Sequence, residues 1–260
     1  AGVDKFKGIA NDFPVYDNIK DVKEDFDVII DFSRPDALEG LLEYSKKKGC
    51  GAVIATTGCS EEQKAQIKEY SQYFPLFYSA NMSLGVNLQI ELCKKAAEFL
   101  GEDFDIEIIE KHHNQKVDAP SGTALAIADG INEVFHGQKE YVYGRTPAER
   151  HKRQQKEIGL HAVRGGTVVG EHDVGFYGHD EIIQILHTAQ SREVFAIGAI
   201  RAASFIKGKK PGLYNMSDII AQADSHNAVS VENNVAAVFV SGINPLHAAH
   251  ALDGAQMLNM

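Results

Sequence analysis

Residues 27–57 read DVIIDFSRPDALEGLLEYSKKKGCGAVIATT. An apolar run, DVIIDF over 27–32, leads into an amphipathic stretch over Pro35–Lys48 and then a second apolar run, GAVIATT over 51–57. Short apolar, β-branched runs of this kind are strands, and the stretch between them has helical character. Pro35 suits the first helical turn, where its missing N–H would have no partner anyway. The pattern then repeats. Ser60, with Glu62 and Gln63 nearby, caps a further helix, and Pro75–Ala80 (PLFYSA) is a third strand. Strand–helix alternation at this spacing predicts βαβ units in a doubly wound, Rossmann-like α/β domain, with a parallel sheet covered on both faces.

Downstream the texture changes. Ser83–Leu100 opens a long helix, and Phe104–Lys111 (FDIEIIEK) alternates apolar and polar residues, as a half-buried strand does. Pro120–His136 is a helix. Ile158–Arg164, Thr167–Phe176 and Glu181–Ala189 follow as three strands with tight connections, which favours antiparallel pairing. Arg192–Lys207 is again a helix. These residues predict a second, α+β domain with an open, mostly antiparallel sheet, entered near Ser83 and left near Ala202. Residues 221–260 contain no Lys or Arg. Within them 221–234 reads as a linker, Val235–Val240 (VAAVFV) as a strand, Ser241–Pro245 as a turn and Leu246–Leu252 as a helix. At the other end, Ala-Gly-Val-Asp over 1–4 reads as a strand entered in mid-course, as though something belonged in front of it.

The 260 residues carry 26 Lys and Arg against 36 Asp and Glu, a formal charge of −10. An acidic chain with no basic cluster is a poor partner for nucleic acid or an anionic membrane. No apolar stretch reaches the length of a membrane span, and the start does not resemble a secretory signal. Cys50, Cys59 and Cys93 are odd in number and lack CxxC spacing, which points to free thiols in a reducing, cytoplasmic setting.

Chemistry concentrates in residues 110–123, EKHHNQKVDAPSGT. His112 and Lys116 stand four apart just past a strand end. A histidine exchanges protons near neutrality, and a lysine donates one or holds a carboxylate. Pro120-Ser121-Gly122-Thr123 then opens a helix, whose free N–H groups and positive dipole end attract an anion. A proton donor beside an anion cradle suits a small carboxylate. Taken singly, adjacent loop histidines are ordinary surface residues and Ser-Gly-Thr an ordinary cap; their crowding into one segment argues otherwise. A metal site is not expected, because adjacent His112 and His113 point apart and lack an HxxxH or Cys partner. Asp4 follows a strand end, where dinucleotide-binding folds place an acid on the ribose, and Lys5 beside it suits a 2′-phosphate. Thr56-Thr57-Gly58 and Ala80-Asn81-Met82-Ser83 end parallel strands and face the same crevice.

DFSRP (31–35), ATTG (55–58), SANMSLGVN (79–87), EKHHNQKVDAPSGTA (110–124), VGEH (169–172) and GAIRAA (198–203) together resemble dihydrodipicolinate reductase, in order, over residues 1 to about 220. The resemblance implies a homotetrameric, NADH- or NADPH-dependent enzyme of lysine and diaminopimelate biosynthesis. It reduces 4-hydroxy-tetrahydrodipicolinate, a cyclic dicarboxylate, to tetrahydrodipicolinate. It implies a dinucleotide-binding domain over 1–82 and 202–260, and a substrate-binding and tetramerisation domain over 83–201. His112 is then the proton donor and acceptor and Lys116 a proton donor. His113, Ser121, Gly122 and Thr123 hold the carboxylates. Asp4 and Lys5 take the adenosine ribose. Ala55, Thr56, Thr57, Ser79, Ala80, Asn81 and Met82 line the nicotinamide side, and Arg201 has no assigned role. Met82 stands where the family often has an aromatic residue.

One departure matters. The family begins with a strand and a glycine-rich turn that are absent ahead of Ala1, while VFVSGIN (238–244) resembles them. Residues 235–260 are therefore expected to supply the first βα unit in displaced order, with Gly242 as the first glycine of the turn. Pro245 and Ala248 fall where the other two glycines belong. Proline there has no N–H to offer a pyrophosphate, so weakened cofactor binding is expected. The rival account of 221–260 is an unrelated extension. The rival functional reading is a homologue that keeps the dicarboxylate site without turnover.

Overall fold

The computed structural model describes residues 1–4, 13–147, 151–224 and 235–241. In chain order the elements are β1 (Gly2–Asp4), β2 (Val15–Tyr16), β3 (Val28–Phe32), α1 (Leu38–Lys48), β4 (Gly51–Ile54), α2 (Glu61–Tyr70), β5 (Pro75–Tyr78), α3 (Leu84–Leu100), β6 (Asp105–His112) and α4 (Gly122–Val134). They continue with β7 (Glu140–Tyr143), β8 (Glu157–Arg164), β9 (Gly170–Tyr177), β10 (Ile182–Ala189), α5 (Glu193–Ile206), β11 (Gly212–Tyr214), α6 (Met216–Asp224) and β12 (Ala237–Ser241). The chain divides into two units, residues 1–84 with 193–260, and residues 85–192.

The first unit holds a seven-stranded sheet in the order β11-β5-β4-β3-β12-β1-β2. Every ladder in it is parallel. Both faces are buried, which is why its strands are apolar runs and not alternations. On one face Val28, Ile30, Val53, Phe77 and Phe239 pack with Ala196, Ala199, Ala202 and Ala203 of α5. On the other, Ile29, Ala52, Ile54 and Leu76 pack with Leu38, Leu41 and Leu42 and with Ile67 of α2. Ser60 and Gln63 form a reciprocal capping box at the start of α2. At its far end α1 closes on Gly49, whose φ of 73° is the left-handed cap that glycine adopts freely.

β12 lies in the middle of this sheet. It pairs with β3 from Ala237↔Val28 to Ser241↔Phe32, and with β1 from Gly2↔Phe239 to Asp4↔Ser241. The chain therefore crosses over β12 in passing from β2 to β3. Ligands of open α/β sheets bind where the strand order reverses in this way.

The second unit carries a five-stranded sheet in the order β10-β9-β6-β8-β7, with α3 and α4 supplying apolar residues to its core. Three features differ from the sequence reading. The segments 158–164 and 167–176 are not neighbours, because β6 lies between them. It runs parallel to β8 and antiparallel to β9, so the sheet is mixed and not mostly antiparallel. The apolar alternation of β6, with Ile106 and Ile108 fully inward, lets it serve as the central strand. The return to the first unit comes at Glu193, ahead of Ala202, because the alanine-rich face of α5 belongs to the parallel-sheet core. Residues 221–224 finish α6 and are not linker.

Candidate active site

The inward face of β6 runs Ile106, Ile108, Glu110, His112, apolar at the start and polar at the carboxyl end. Period-2 geometry puts Glu110 and His112 on the same side of the sheet. Glu110 is completely buried, and its Oε2 lies 2.6 Å from His112 Nδ1. Arg164 donates to the same carboxylate through both terminal nitrogens, at 2.8 Å each, and the Ser121 N–H donates at 3.0 Å. Burial by itself would raise the Glu110 pKa. The Arg164 guanidinium, His112 and the Ser121 N–H outweigh it and hold the carboxyl below its usual range.

Burial lowers the His112 pKa, with Lys116 and Arg164 adding in the same direction and Glu110 opposing. The His112 Nε2 makes no hydrogen bond among the described residues. It faces Gly170, where an added Cβ would stand 3.1 Å from that nitrogen. The loop beyond β6 folds back on the turn after β8: Gly165 N–H donates to His112 O and Asn114 N–H to Gly166 O. Arg164 also donates to the Asp118 carbonyl at 2.6 Å. Lys116 pairs with Asp118 at 2.9 Å.

Ser121 caps α4 by accepting from Ala124 N–H, and its Oγ lies 3.0 Å from His172 Nε2. His172 is held neutral, its pKa pushed down to about 4 chiefly by burial and then by His112. The two imidazoles meet edge to face at 5.2 Å. Gly122 is exposed, and a Cβ there would meet nothing within 4 Å, so a ligand has open access to that backbone. Among the described residues no group of three or more His, Cys, Asp or Glu is placed to hold a metal ion.

In the first unit, the residues expected at the crevice follow the carboxyl ends of parallel strands. Asp4 ends β1 and is buried. Thr56 is buried and donates to Asp31 Oδ2 at 2.7 Å, while Ser33 N–H donates to Oδ1 at 2.9 Å. Burial raises the Asp31 pKa despite both donors. The tie leaves Thr57 and Gly58 exposed at the tip of the turn. Past β5, Ser79 Oγ donates to Asn81 O and Asn81 Oδ1 accepts from Ser83 N–H, which shapes the start of α3.

Two halves of one family's sequence pattern cover the chain in register. The pattern described as "Dihydrodipicolinate reductase, N-terminus" matches residues 3–82, and "Dihydrodipicolinate reductase, C-terminus" matches 85–220. The chain belongs to the dihydrodipicolinate reductase family. It is accordingly an NAD(P)H-dependent oxidoreductase. It is 57% identical over 220 residues to the 4-hydroxy-tetrahydrodipicolinate reductase of Caldanaerobacter subterraneus, covering 85% of this chain and 86% of that one. It is 51% identical over 220 residues to that of Clostridium novyi, with the same coverage. Among solved structures it is similar to the dihydrodipicolinate reductase of Paenisporosarcina sp. TG-14, described as dipicolinate-bound. The TM-score is 0.64, with 25% identity and coverage of 78% of this chain and 77% of that one.

Within this reductase fold, His112, His113, Lys116, Ser121, Gly122 and Thr123 fall together at one end of the second unit. Asp4, Ala55, Thr56, Thr57, Ser79, Ala80 and Asn81 fall at strand ends of the first. Met82 lies between β5 and α3. Its side chain is 2% exposed and packs into the α5 face of the core. Its carbonyl lies so close to α5 that a Cβ on Gly198 would overlap it, which accounts for the glycine of GAIRAA. Lys5 and Gly242, with Pro245 and Ala248, lie outside the described residues. Arg201 is half-buried on α5 without an ion pair among the described residues.

Sequence reasoning missed Glu110, Arg164, His172 and Asp31. Glu110 had a signal, its spacing of two from His112 in an alternating strand. Arg164 and His172 depend on strand register: His112 stands opposite Arg164, and Glu110 opposite His172.

Proposed function

We propose that His112 and Lys116 manage the protons while 4-hydroxy-tetrahydrodipicolinate, the family's substrate, is reduced to tetrahydrodipicolinate. The reaction consumes one hydride and one proton and releases one water. His112 takes and returns a proton through Nε2, and Lys116 donates from Nζ. His113 and the Ser121–Gly122–Thr123 helix start hold the two carboxylates of the ring. A bound NADH or NADPH supplies the hydride. The residues that would hold it are Asp4 on the adenosine ribose and Ala55, Thr56, Thr57, Ser79, Ala80 and Asn81 toward the nicotinamide. Their fit rests on the exposed Thr57–Gly58 tip and the buried acid ending β1, both at carboxyl ends of one parallel sheet.

The observation that carries this reading is the buried Glu110–His112 pair beside an open helix start, with Lys116 on the loop between them. That the Paenisporosarcina relative is described as holding dipicolinate, a ring dicarboxylate, agrees with it. A non-catalytic homologue is not favoured, since family membership and the His112/Lys116 cluster are both intact. With freshly generated substrate and NAD(P)H absorbance as the readout, Lys116→Ala and His112→Asn should each lower kcat by roughly 10²- to 10⁴-fold. The cofactor dissociation constant should stay within about twofold, since neither residue belongs to the parallel-sheet unit that would hold it. Equal losses in turnover and cofactor binding would remove both residues from proton transfer.

We also propose a cytoplasmic homotetramer. Ile182 and Leu186 of β10 are 60% and 59% exposed on the open face of the second sheet, as a subunit interface requires. The three cysteines are buried free thiols, which suits a reducing compartment. Sedimentation equilibrium should give four chains per particle, and Leu186→Glu should shift it to smaller species. A monomeric parent protein would overturn this part.

A further inference from the structure

We propose that Glu110 is a positioning residue for His112, fixing its imidazole with the hydrogen on Nδ1 and the lone pair of Nε2 facing Gly170. The inference rests on the proton-transfer role proposed for His112 and adds how that ring is held. An ionised carboxylate only accepts hydrogen bonds. At 2.6 Å from Glu110 Oε2, the His112 Nδ1 must therefore be the donor, which leaves Nε2 bare in the neutral ring.

The carboxylate is in turn held from two other directions. Arg164 grips both oxygens in fork geometry, and the Ser121 N–H fills a further acceptor site on Oε1. One buried group thus joins three parts of the site: the proton-exchanging ring, the first residue of the anion-binding helix start, and Arg164. Through its bond to the Asp118 carbonyl, Arg164 also holds the loop that carries Lys116. On the far side of the ring the bare Cα of Gly170 faces Nε2, and a methyl there would crowd it at 3.1 Å. A salt bridge serving stability alone would not require this arrangement.

The charged and titratable groups facing His112 are Glu110, Arg164, Lys116 and His172. Replacing Glu110 by Gln removes the one anion among them. The imidazolium is then left with two cations and a neutral histidine, so its pKa falls. Glu110→Gln should lower kcat on the order of 10- to 100-fold, as loss of an orienting partner does elsewhere. KM should change little, and the acidic limb of the kcat/KM profile should move down by about one pH unit. Glu110→Asp, which keeps the charge, should restore part of kcat and return the limb toward its original position.

A measurement on the unmodified enzyme is independent of whether these variants fold. ¹⁵N-edited NMR of the imidazole should show His112 protonated at Nδ1 near neutral pH. Protonation at Nε2, or a Glu110→Gln profile that superimposes on the parent, would overturn the assignment. If His112→Asn itself turns over normally, it is the catalytic role of His112 that fails. If His112→Asn is slow while Glu110→Gln is not, only the role of Glu110 fails.

Discussion

The two units place polar groups at strand ends by opposite routes. In the mixed-sheet unit the groups proposed to do the chemistry are almost contiguous. Residues 110–123 run off the end of β6, round one loop and into α4, and the supporting partners come from the two flanking strands. In the parallel-sheet unit the corresponding edge is assembled from the two ends of the chain: Asp4 of β1 stands in register with Ser241 of β12. A compact site needs only local chain geometry and one register. The crevice of the first unit needs a strand from more than two hundred residues away in sequence (241 − 4 = 237) to arrive between β1 and β3. The first arrangement is robust to changes at the chain ends, and the second depends on them.

The most drastic way to break this contrast is to end the chain at residue 224. β12 then no longer separates β1 from β3. Burial of Val238 and Phe239, at 1% and 4% exposure, goes with it. Each such side chain is worth about 1.5–3 kcal/mol, and the hydrogen bonds of two ladders are lost as well. Against a typical total stability of about 5–15 kcal/mol, the parallel-sheet unit should no longer hold its shape. NAD(P)H titration followed by fluorescence should show no saturable binding. Cofactor binding that survives the truncation at near-parent affinity would mean that β12 is not the floor of the nucleotide site.

The same contrast explains what the sequence revealed and what it hid. β3 and β4 announce themselves because a strand buried on both faces must be apolar throughout, and DVIIDF and GAVIATT are. β6 announces itself by alternation, and His112, Lys116 and Ser121 by crowding. β2 and β11, of two and three residues, carry too little pattern to see. The insertion of β6 between β8 and β9 is a matter of non-local pairing, and so are Arg164 and His172. Nothing near Arg164 in sequence says that its guanidinium will meet a carboxylate 54 positions earlier. Met82 is a further case: nothing in SANMS says that its side chain packs against α5 or that its carbonyl closes on Gly198.

Acid should separate the two units by sign, with a smaller effect than truncation. His172 of the mixed-sheet unit titrates at about 4 when folded, against an ordinary value near 6.5. As pH falls below 6.5 the unfolded chain binds a proton at this position and the folded chain does not, so the folded state loses ground. The loss grows until pH reaches about 4 and then levels off. At about 1.4 kcal/mol per pKa unit it comes to roughly 3 kcal/mol. His112 shifts in the same direction, and Glu110, held low by Arg164, adds a further loss as pH falls from its ordinary value to its lower folded one.

Asp31 of the parallel-sheet unit has the opposite sign. Its folded pKa is raised by burial, so on acidification the folded chain takes up the proton first and gains stability relative to the unfolded chain. Amide hydrogen-exchange protection factors at pH 6.5 and 4.5 read the two units separately. Protection across β6 and β9 should fall markedly, while β3 and β4 should hold steady or improve. Because His172 touches Ser121 and faces His112, the amides nearest α4 should open first. A uniform loss across both sheets would mean that acid sensitivity belongs to the chain as a whole and not to the buried imidazole. Equal protection at the two pH values would show His172 to be far less desolvated than its position beneath α4 implies.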